Sequence, residues 1–242
     1  MQALILAGGP GTRLRALVSD RPKAMASVGG KPFLEHLVEQ LRGQGFSDLV
    51  FCTGYLADHV QQYFGDGRRW GVCVAYSVET ELLGTAGAIR NAGQLLNGAF
   101  LVLNGDSYLD ADFRALVAAH RRRCTADAST IGTLAAVSVE DAGAYGRLEL
   151  DGDGRLLSFG EKSAAGPGWI NGGVYVMEPD ILDHIPAGRP VSIERETFPH
   201  ALARGRTLYS YPVTGFFVDI GTPEGYRRFC EHVREGGHDR TK

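Results

Sequence analysis

The stretch Ala3-Leu4-Ile5-Leu6-Ala7-Gly8-Gly9-Pro10-Gly11-Thr12-Arg13 decides how this chain is read. Its first five residues are an apolar run of strand length, and a glycine-rich loop follows at once. Glycines let a backbone approach a polyphosphate closely and aim successive N–H groups at it. Two better-known phosphate loops are excluded by inspection. A P-loop needs Lys and then Ser/Thr after its last glycine, whereas Thr12-Arg13 follows Gly11. The dinucleotide pattern GxGxxG, begun at Gly9, needs glycine where Leu14 stands. A plain strand-to-helix turn is the bland alternative, and two nearby cations speak against it. Arg13 can fork onto phosphate oxygens bidentately. Lys23, which Pro22 sets on an extended approach, can point at the same anion.

Outward from this loop, short apolar runs alternate with helix-period segments. After the Ala3 to Ala7 strand, Phe33, Leu34, Leu37, Val38 and Leu41 predict a helix ended by Gly43 and Gly45. Strands are expected over Leu49–Cys52, Val72–Val78 and Phe100–Leu103, with helices around Asp58–Phe64 and Thr85–Leu96. This order implies parallel crossovers: an α/β fold with a Rossmann-like, mostly parallel sheet covered by helices on both faces. Such sheets take ligands beyond the carboxyl ends of their strands. The glycine loop and Asp106 both fall at that edge. The second half is mixed. It predicts strands over Ile131–Val139, Arg147–Leu150, Leu156–Phe159 and Gly173–Met177, and others near Leu208 and Phe217. Asp151-Gly152-Asp153-Gly154 is a hairpin signal. Pro179–Ile185, Glu194–Ala203 and a segment from Pro223 read as helical, and Asp112 as the N-cap of a helix from Phe113 to His120. No linker or repeat interrupts the chain, so residues 1–242 are expected to form a single domain with a smaller lobe in the second half.

Composition excludes several classes. A hydrophobic fraction of 44%, a charged fraction of 22% and a net charge of −3 describe an ordinary globular chain with no nucleic-acid or membrane partner expected. The basic run Arg121-Arg122-Arg123 reads as a solvated helix end. Cys52, Cys73, Cys124 and Cys230 form no CxxC pair, which argues against a zinc site and suits a reducing cytosol. No stretch approaches a membrane span and none resembles a signal peptide, so a cytoplasmic protein is expected. A homo-oligomer is left open.

The order of motifs is similar to that of the sugar-phosphate nucleotidyltransferases, or nucleotide-sugar pyrophosphorylases. Gly8-Gly9-Pro10-Gly11-Thr12-Arg13-Leu14 is followed by Pro22-Lys23-Ala24-Met25, Gly84-Thr85-Ala86-Gly87 and Asn104-Gly105-Asp106. Tyr145-Gly146, Glu161-Lys162, Ile170-Asn171-Gly172-Gly173 and Val218-Asp219-Ile220-Gly221-Thr222-Pro223 continue it. Ser192-Ile193-Glu194-Arg195-Glu196 and the short C-terminus resemble the D-glycero-alpha-D-manno-heptose 1-phosphate guanylyltransferases most. Mannose 1-phosphate guanylyltransferases and N-acetylmuramate or hexose 1-phosphate uridylyltransferases are near neighbours by the same motifs. The family often has proline where Ala24 and Ser163 stand here; neither change removes a charge.

The resemblance implies a nucleotide-binding half over about residues 1–110, a sugar-phosphate-binding half over about 111–229 and a tail over 230–242. It places Leu6, Ala7, Gly8, Gly9, Gly11, Thr12, Arg13, Lys23, Glu79, Gly84, Thr85 and Asp106 at the nucleoside triphosphate. Asn104, Tyr145, Gly146, Glu161, Lys162, Asn171 and Gly172 go to the sugar phosphate, with the Gly172-Gly173 pair leaving room for the ring. Arg13, Lys23 and Lys162 are the implied catalytic cations, and Asp106 and Asp219 the ligands of Mg²⁺. Spacing by itself leaves Asp219 open as a helix N-cap. A sugar phosphate needs no general base, because its second pKa is about 6. No catalytic histidine is therefore expected, and the seven histidines form no HExxH pattern. A carboxylate at Glu79 suits the paired N–H donors of guanine, which favours GTP. Two rivals stay in view: a nucleotide-sugar-binding regulator without turnover, and a glycosyltransferase for which Asp110-Ala111-Asp112 would spell the metal motif.

Overall fold

The computed structural model describes residues 1–9, 22–143, 145–160 and 166–239. The opening apolar run is β1 (Ala3–Leu6). Past Pro22, a 3-10 turn over Lys23–Met25 leads into the short strands β2 (Ser27–Val28) and β3 (Lys31–Pro32). Helix α1 (Phe33–Gly43) buries the stripe Phe33, Leu34, Leu37, Val38 and Leu41. The alternating half is completed by β4 (Asp48–Thr53), α2 (Ala57–Phe64), β5 (Cys73–Val78), α3 (Gly84–Asn91) and β6 (Phe100–Asn104). Next come β7 (Ser107–Leu109), α4 (Phe113–Ala126), β8 (Thr130–Val139) and the hairpin β9 (Leu148–Leu150) with β10 (Leu156–Phe159). The chain continues through β11 (Gly168–Met177), α5 (Phe198–Ala203), β12 (Thr207–Val213), β13 (Phe217–Asp219) and α6 (Pro223–Asp239).

Seven strands form one sheet in the order β12-β8-β11-β6-β1-β4-β5. The pairs β12–β8, β6–β1, β1–β4 and β4–β5 are parallel, while β11 runs antiparallel to both β8 and β6. Alternate residues of each strand serve different cores, as the period of two requires. Ala3, Ile5, Phe51 and Leu103 pack with Phe33, Phe113 and Phe229 from the helices on one face. Leu4, Val50 and Val102 pack with Ile89 and Phe198 on the other. Both faces are thus covered, which is what near-continuous apolar strands need. Among the described residues, no helix is long and apolar enough to cross a membrane.

Several boundaries differ from the sequence expectation, each for a local reason. The helix expected over Thr85–Leu96 ends at Asn91, and a 3-10 turn over Gly93–Leu95 replaces its last turn because glycine weakens the α ladder. Helix α4 runs past His120 to Ala126, so the arginine run lies within it rather than beyond it. Arg121 and Arg122 are exposed there, whereas the half-buried Arg123 stacks its guanidinium 4.2 Å over Tyr209 and donates to the Asp153 carbonyl at 2.8 Å. The segment from Pro179 is a 3-10 turn, and that before α5 is a π turn over Ile193–Thr197. Strand β11 begins at Gly168, well before Gly173, because its pairing with β8 shifts register between Asn171 and Tyr175 and carries the ladder across the glycine pair. Asp112 does cap α4, accepting the Ala115 N–H at 3.0 Å.

Candidate active site

The carboxyl edge of β1 is built by backbone. Ala7 N–H donates to the Cys52 carbonyl at 2.8 Å and Tyr55 N–H to the Gly8 carbonyl at 3.3 Å, so the chain after Leu6 is pinned to the end of β4. A Cβ on Gly8 would meet Glu79 Oε1, so glycine here leaves room for the Glu79 carboxylate against the chain. Glu79 follows β5, and its Oε2 accepts the Leu83 N–H at 3.0 Å. Burial pushes the Glu79 carboxyl above its ordinary pKa, opposed in part by that N–H. Gly84 has φ +70°, and a Cβ there would lie 2.6 Å from the Val191 carbonyl oxygen. Thr85 Oγ1 accepts the Ile193 N–H at 2.9 Å, and Leu83 O accepts the Val191 N–H at 2.7 Å. Gly84 and Thr85 therefore dock the 191–193 segment onto this edge. Gly11, Thr12, Arg13, Glu161 and Lys162 lie outside the described residues.

Two aspartates meet one lysine beyond β6. Gly105 N–H donates to the Leu6 carbonyl at 3.0 Å, and a Cβ on Gly105 would sit 2.5 Å from that same oxygen, so only glycine lets the turn press against β1. This sets Asp106 beside the end of β1. Asp219 arrives on a ribbon: β13 pairs antiparallel with β7, opposing Asp219 to Ser107, and Ile220 N–H donates to the Asp106 carbonyl at 2.9 Å. Lys23 Nζ lies 2.7 Å from Asp106 Oδ2 and 3.9 Å from Asp219 Oδ1. The lysine side chain is 11% exposed and the Asp106 side chain 42% exposed, so the cluster opens on the carboxylate side. Sequence reading aimed Lys23 at the phosphates beside Arg13; its ammonium pairs here with Asp106 and lies near Asp219, at the strand edge where such phosphates would sit. The N-cap of α6 is Thr222, whose Oγ1 accepts the Gly225 N–H at 3.1 Å. The N-cap alternative for Asp219 is thereby removed, and its Oδ1 instead accepts the Gly221 N–H at 2.6 Å. Hard oxygen donors with a net charge of one minus, one of them open to water, fit a magnesium ion that keeps most of its own waters.

A cavity of about 1000 Å³ adjoins this cluster, lined by Tyr145, Gly146, the β10 residues Leu157 to Phe159, and Asn171 and Glu194. A smaller one of about 380 Å³ is lined by Asn104, Asp106 and Asp219, and shares Tyr145, Asn171 and Glu194 with the first. These three side chains are the link between the acids and the larger space. Asn171 Nδ2 donates to Tyr175 Oη at 2.5 Å and to Glu194 Oε1, while its Oδ1 accepts the Gly173 N–H at 2.9 Å. Asn104, on the same wall, keeps its Oδ1 buried without a hydrogen-bond partner. Protein atoms crowd the glycine pair. A Cβ on Gly172 would meet the Ala135 carbonyl at 3.1 Å, and one on Gly173, at φ +71°, would meet Asn104 Nδ2 at 2.9 Å. Both glycines serve protein packing. Glu194 was missed as a site residue because it stands in a charged run that looks like a helix surface; the π turn that aims it inward leaves no sequence periodicity.

Fold and site together define an α/β protein with an acid–lysine cluster beyond its strand ends. The chain belongs to the nucleotidyl transferase family, whose model matches residues 2–236. It is 40% identical over 231 residues to a mannose-1-phosphate guanylyltransferase of Mycobacterium tuberculosis, an alignment covering 94% of this chain and 63% of that protein. It is 35% identical over 232 residues to a D-glycero-alpha-D-manno-heptose 1-phosphate guanylyltransferase of Campylobacter jejuni, covering 95% of this chain and 98% of that protein. The chain thus spans less than two thirds of the first relative and nearly all of the second. HddC from Yersinia pseudotuberculosis matches with a TM-score of 0.83 and 32% identity over 96% of this chain and 99% of that one. A second HddC structure, complexed with GMP-PN, matches equally, with a TM-score of 0.83.

Proposed function

We propose that this chain joins a nucleoside triphosphate to a sugar 1-phosphate and releases pyrophosphate, with GTP as the nucleotide and D-glycero-alpha-D-manno-heptose 1-phosphate as the sugar. The reading is carried by the convergence of Lys23, Asp106 and Asp219 beside a cavity large enough for a sugar. A sugar-phosphate oxygen attacks the α-phosphorus in line, and the bond from that phosphorus to the pyrophosphate oxygen breaks. The nucleophile is already an anion at neutral pH. The residues therefore have to align two polyanions and screen their repulsion. Asp106 and Asp219 would hold Mg²⁺, which supplies charge neutralisation at the reacting phosphates. Lys23 orients Asp106 and adds a positive charge where the phosphates meet. By resemblance, Arg13 serves the triphosphate and Lys162 the sugar phosphate. Asn171, with Glu194 behind it, offers hydrogen bonds to sugar hydroxyls.

GTP is favoured by the carboxylate of Glu79 over Gly8 and by the guanylyltransferase names of two relatives. Heptose is favoured by the Campylobacter relative, which this chain matches over 98% of its length. A cytoplasmic setting accords with four free cysteines. The test is pyrophosphate release across a matrix of GTP, UTP, dTTP, ATP and CTP against heptose, mannose, glucose and N-acetylmuramate 1-phosphates. Much better use of UTP or dTTP than GTP would overturn the guanine assignment. Release with mannose but not heptose would reassign the sugar. No release with any pair would turn the reading to a regulator that binds nucleotide sugars.

A further inference from the structure

At the sheet edge opposite the acids, α4 and the end of β11 gather three ligand-type side chains. His120 and Cys124 stand one helical turn apart on α4 and share a face. Glu178 directly follows β11, whose reversed direction carries it away from Asn171 to the far edge. His120 Nε2 is 3.0 Å from Glu178 Oε1; Cys124 Sγ is 3.4 Å from that nitrogen and 3.7 Å from that oxygen. A tetrahedral zinc ion, with bonds of about 2.3 Å to sulfur and about 2.0–2.2 Å to nitrogen and oxygen, holds such atoms roughly 3.4–3.6 Å apart. The three separations bracket those edges, so an ion fits with shifts of a few tenths of an ångström. The Cys124 thiol donates to the same Glu178 oxygen that faces His120 Nε2, so all three ligand atoms converge on one point.

The surroundings suit a metal as well. His120 Nδ1 lies 3.0 Å from Thr133 Oγ1 on β8, a partner that fixes the ring and leaves Nε2 for an ion. His120 is buried, whereas the Glu178 side chain is 32% exposed and Cys124 half-buried, which gives an entry path and a fourth position for water. The lack of CxxC spacing speaks against multi-cysteine sites only. It is silent on a His/Cys pair completed by a glutamate 54 residues away from Cys124.

We propose that His120, Cys124 and Glu178 bind one zinc-class divalent ion, which clamps the C-terminal half of α4 to the end of β11. The site is separate from the Asp106–Asp219 cluster and does not depend on the reading of that cluster. Full-length protein, stripped with a chelator, is titrated with Co²⁺ and then Zn²⁺. One equivalent of Co²⁺ should produce a thiolate-to-cobalt charge-transfer band that Zn²⁺ displaces. Cys124→Ser should abolish the band, and Asp106→Asn should leave it intact. Thr133→Val should weaken binding about tenfold or more by removing the partner of Nδ1. Zinc should raise the melting temperature of the native protein and leave that of Cys124→Ser unmoved, the two being matched in chelator to show that the variant folds. No band, a band that survives Cys124→Ser, or equal zinc effects on both proteins overturns the site. Should Cys124→Ser melt early in chelator, Glu178→Gln replaces it, and a band of undiminished affinity in that variant also overturns the site.

Discussion

Lys23 neutralises half of the charge that Asp106 and Asp219 bring together, and it reaches Asp106 across 83 residues of sequence. Lys23→Met leaves two carboxylates facing each other without an ammonium. Half-saturating magnesium should fall, because a more negative site attracts a divalent ion more strongly, while turnover should drop by about 10²-fold or more through lost orientation and transition-state charge. A magnesium titration of initial rate checks both; an unchanged metal requirement would remove Lys23 from the site. Glu79 yields a second prediction. Burial raises its pKa above the ordinary carboxylate value, with the Leu83 N–H opposing. A carboxyl raised on folding contributes stability that is present below its unfolded pKa and lost as pH rises through the folded one. Glu79→Gln escapes that loss and still offers an acceptor to Leu83. The melting temperature of the variant relative to the native protein should therefore climb from acid to neutral pH and then level off. A flat or falling difference sinks the argument. The same variant should use GTP less well, read as a rise in its KM.

Among the elements, the 191–197 segment carries the most unexpected duty. Gly84 at the start of α3 meets Val191, and the π turn beyond presents Glu194 to the cavity. Gly84→Ala forces a Cβ into a carbonyl at positive φ, a strain of about 1–3 kcal/mol. Melting temperature should fall accordingly, and KM for the sugar phosphate should rise as the segment loosens; an unchanged KM would show that Glu194 acts without this support. These elements also show where sequence stops being informative. β1, α1 and β6 are legible because apolar periodicity and glycine turns state them locally. Asp106 is legible with them, as a polar residue at a strand end. The β7–β13 ribbon is legible only in part: a strand is expected near Phe217, but three-residue β7 carries no period, and it is the pairing of the two that brings Asp219 to Asp106. Motif order supplied Asp219, where spacing left an N-cap equally open. The close packing of Gly172 against Ala135 and of Gly173 against Asn104 is not legible either, because a glycine in a sequence does not say which neighbour it makes way for.

At the scale of the molecule, the described residues that line the two cavities beside the acids include no histidine. The pH profile of turnover should therefore show an acid limb near about 6 that belongs to the substrate phosphate. Exchanging the sugar phosphate for one with a different second pKa should move that limb with it. A limb fixed in place would point to a protein group. The pairing of Lys23 with both acids has a kinetic corollary. With an ammonium as resident counter-ion, loading magnesium is an exchange and not a simple capture. A bare ion gains little by displacing a charge already bound, whereas an ion escorted by a triphosphate brings the lysine a new anion to hold. Calorimetric titration should find magnesium binding weak without nucleotide and strong with it. The chain would then fill in a fixed sequence, metal–nucleotide complex first and sugar phosphate second, with one side chain enforcing the order.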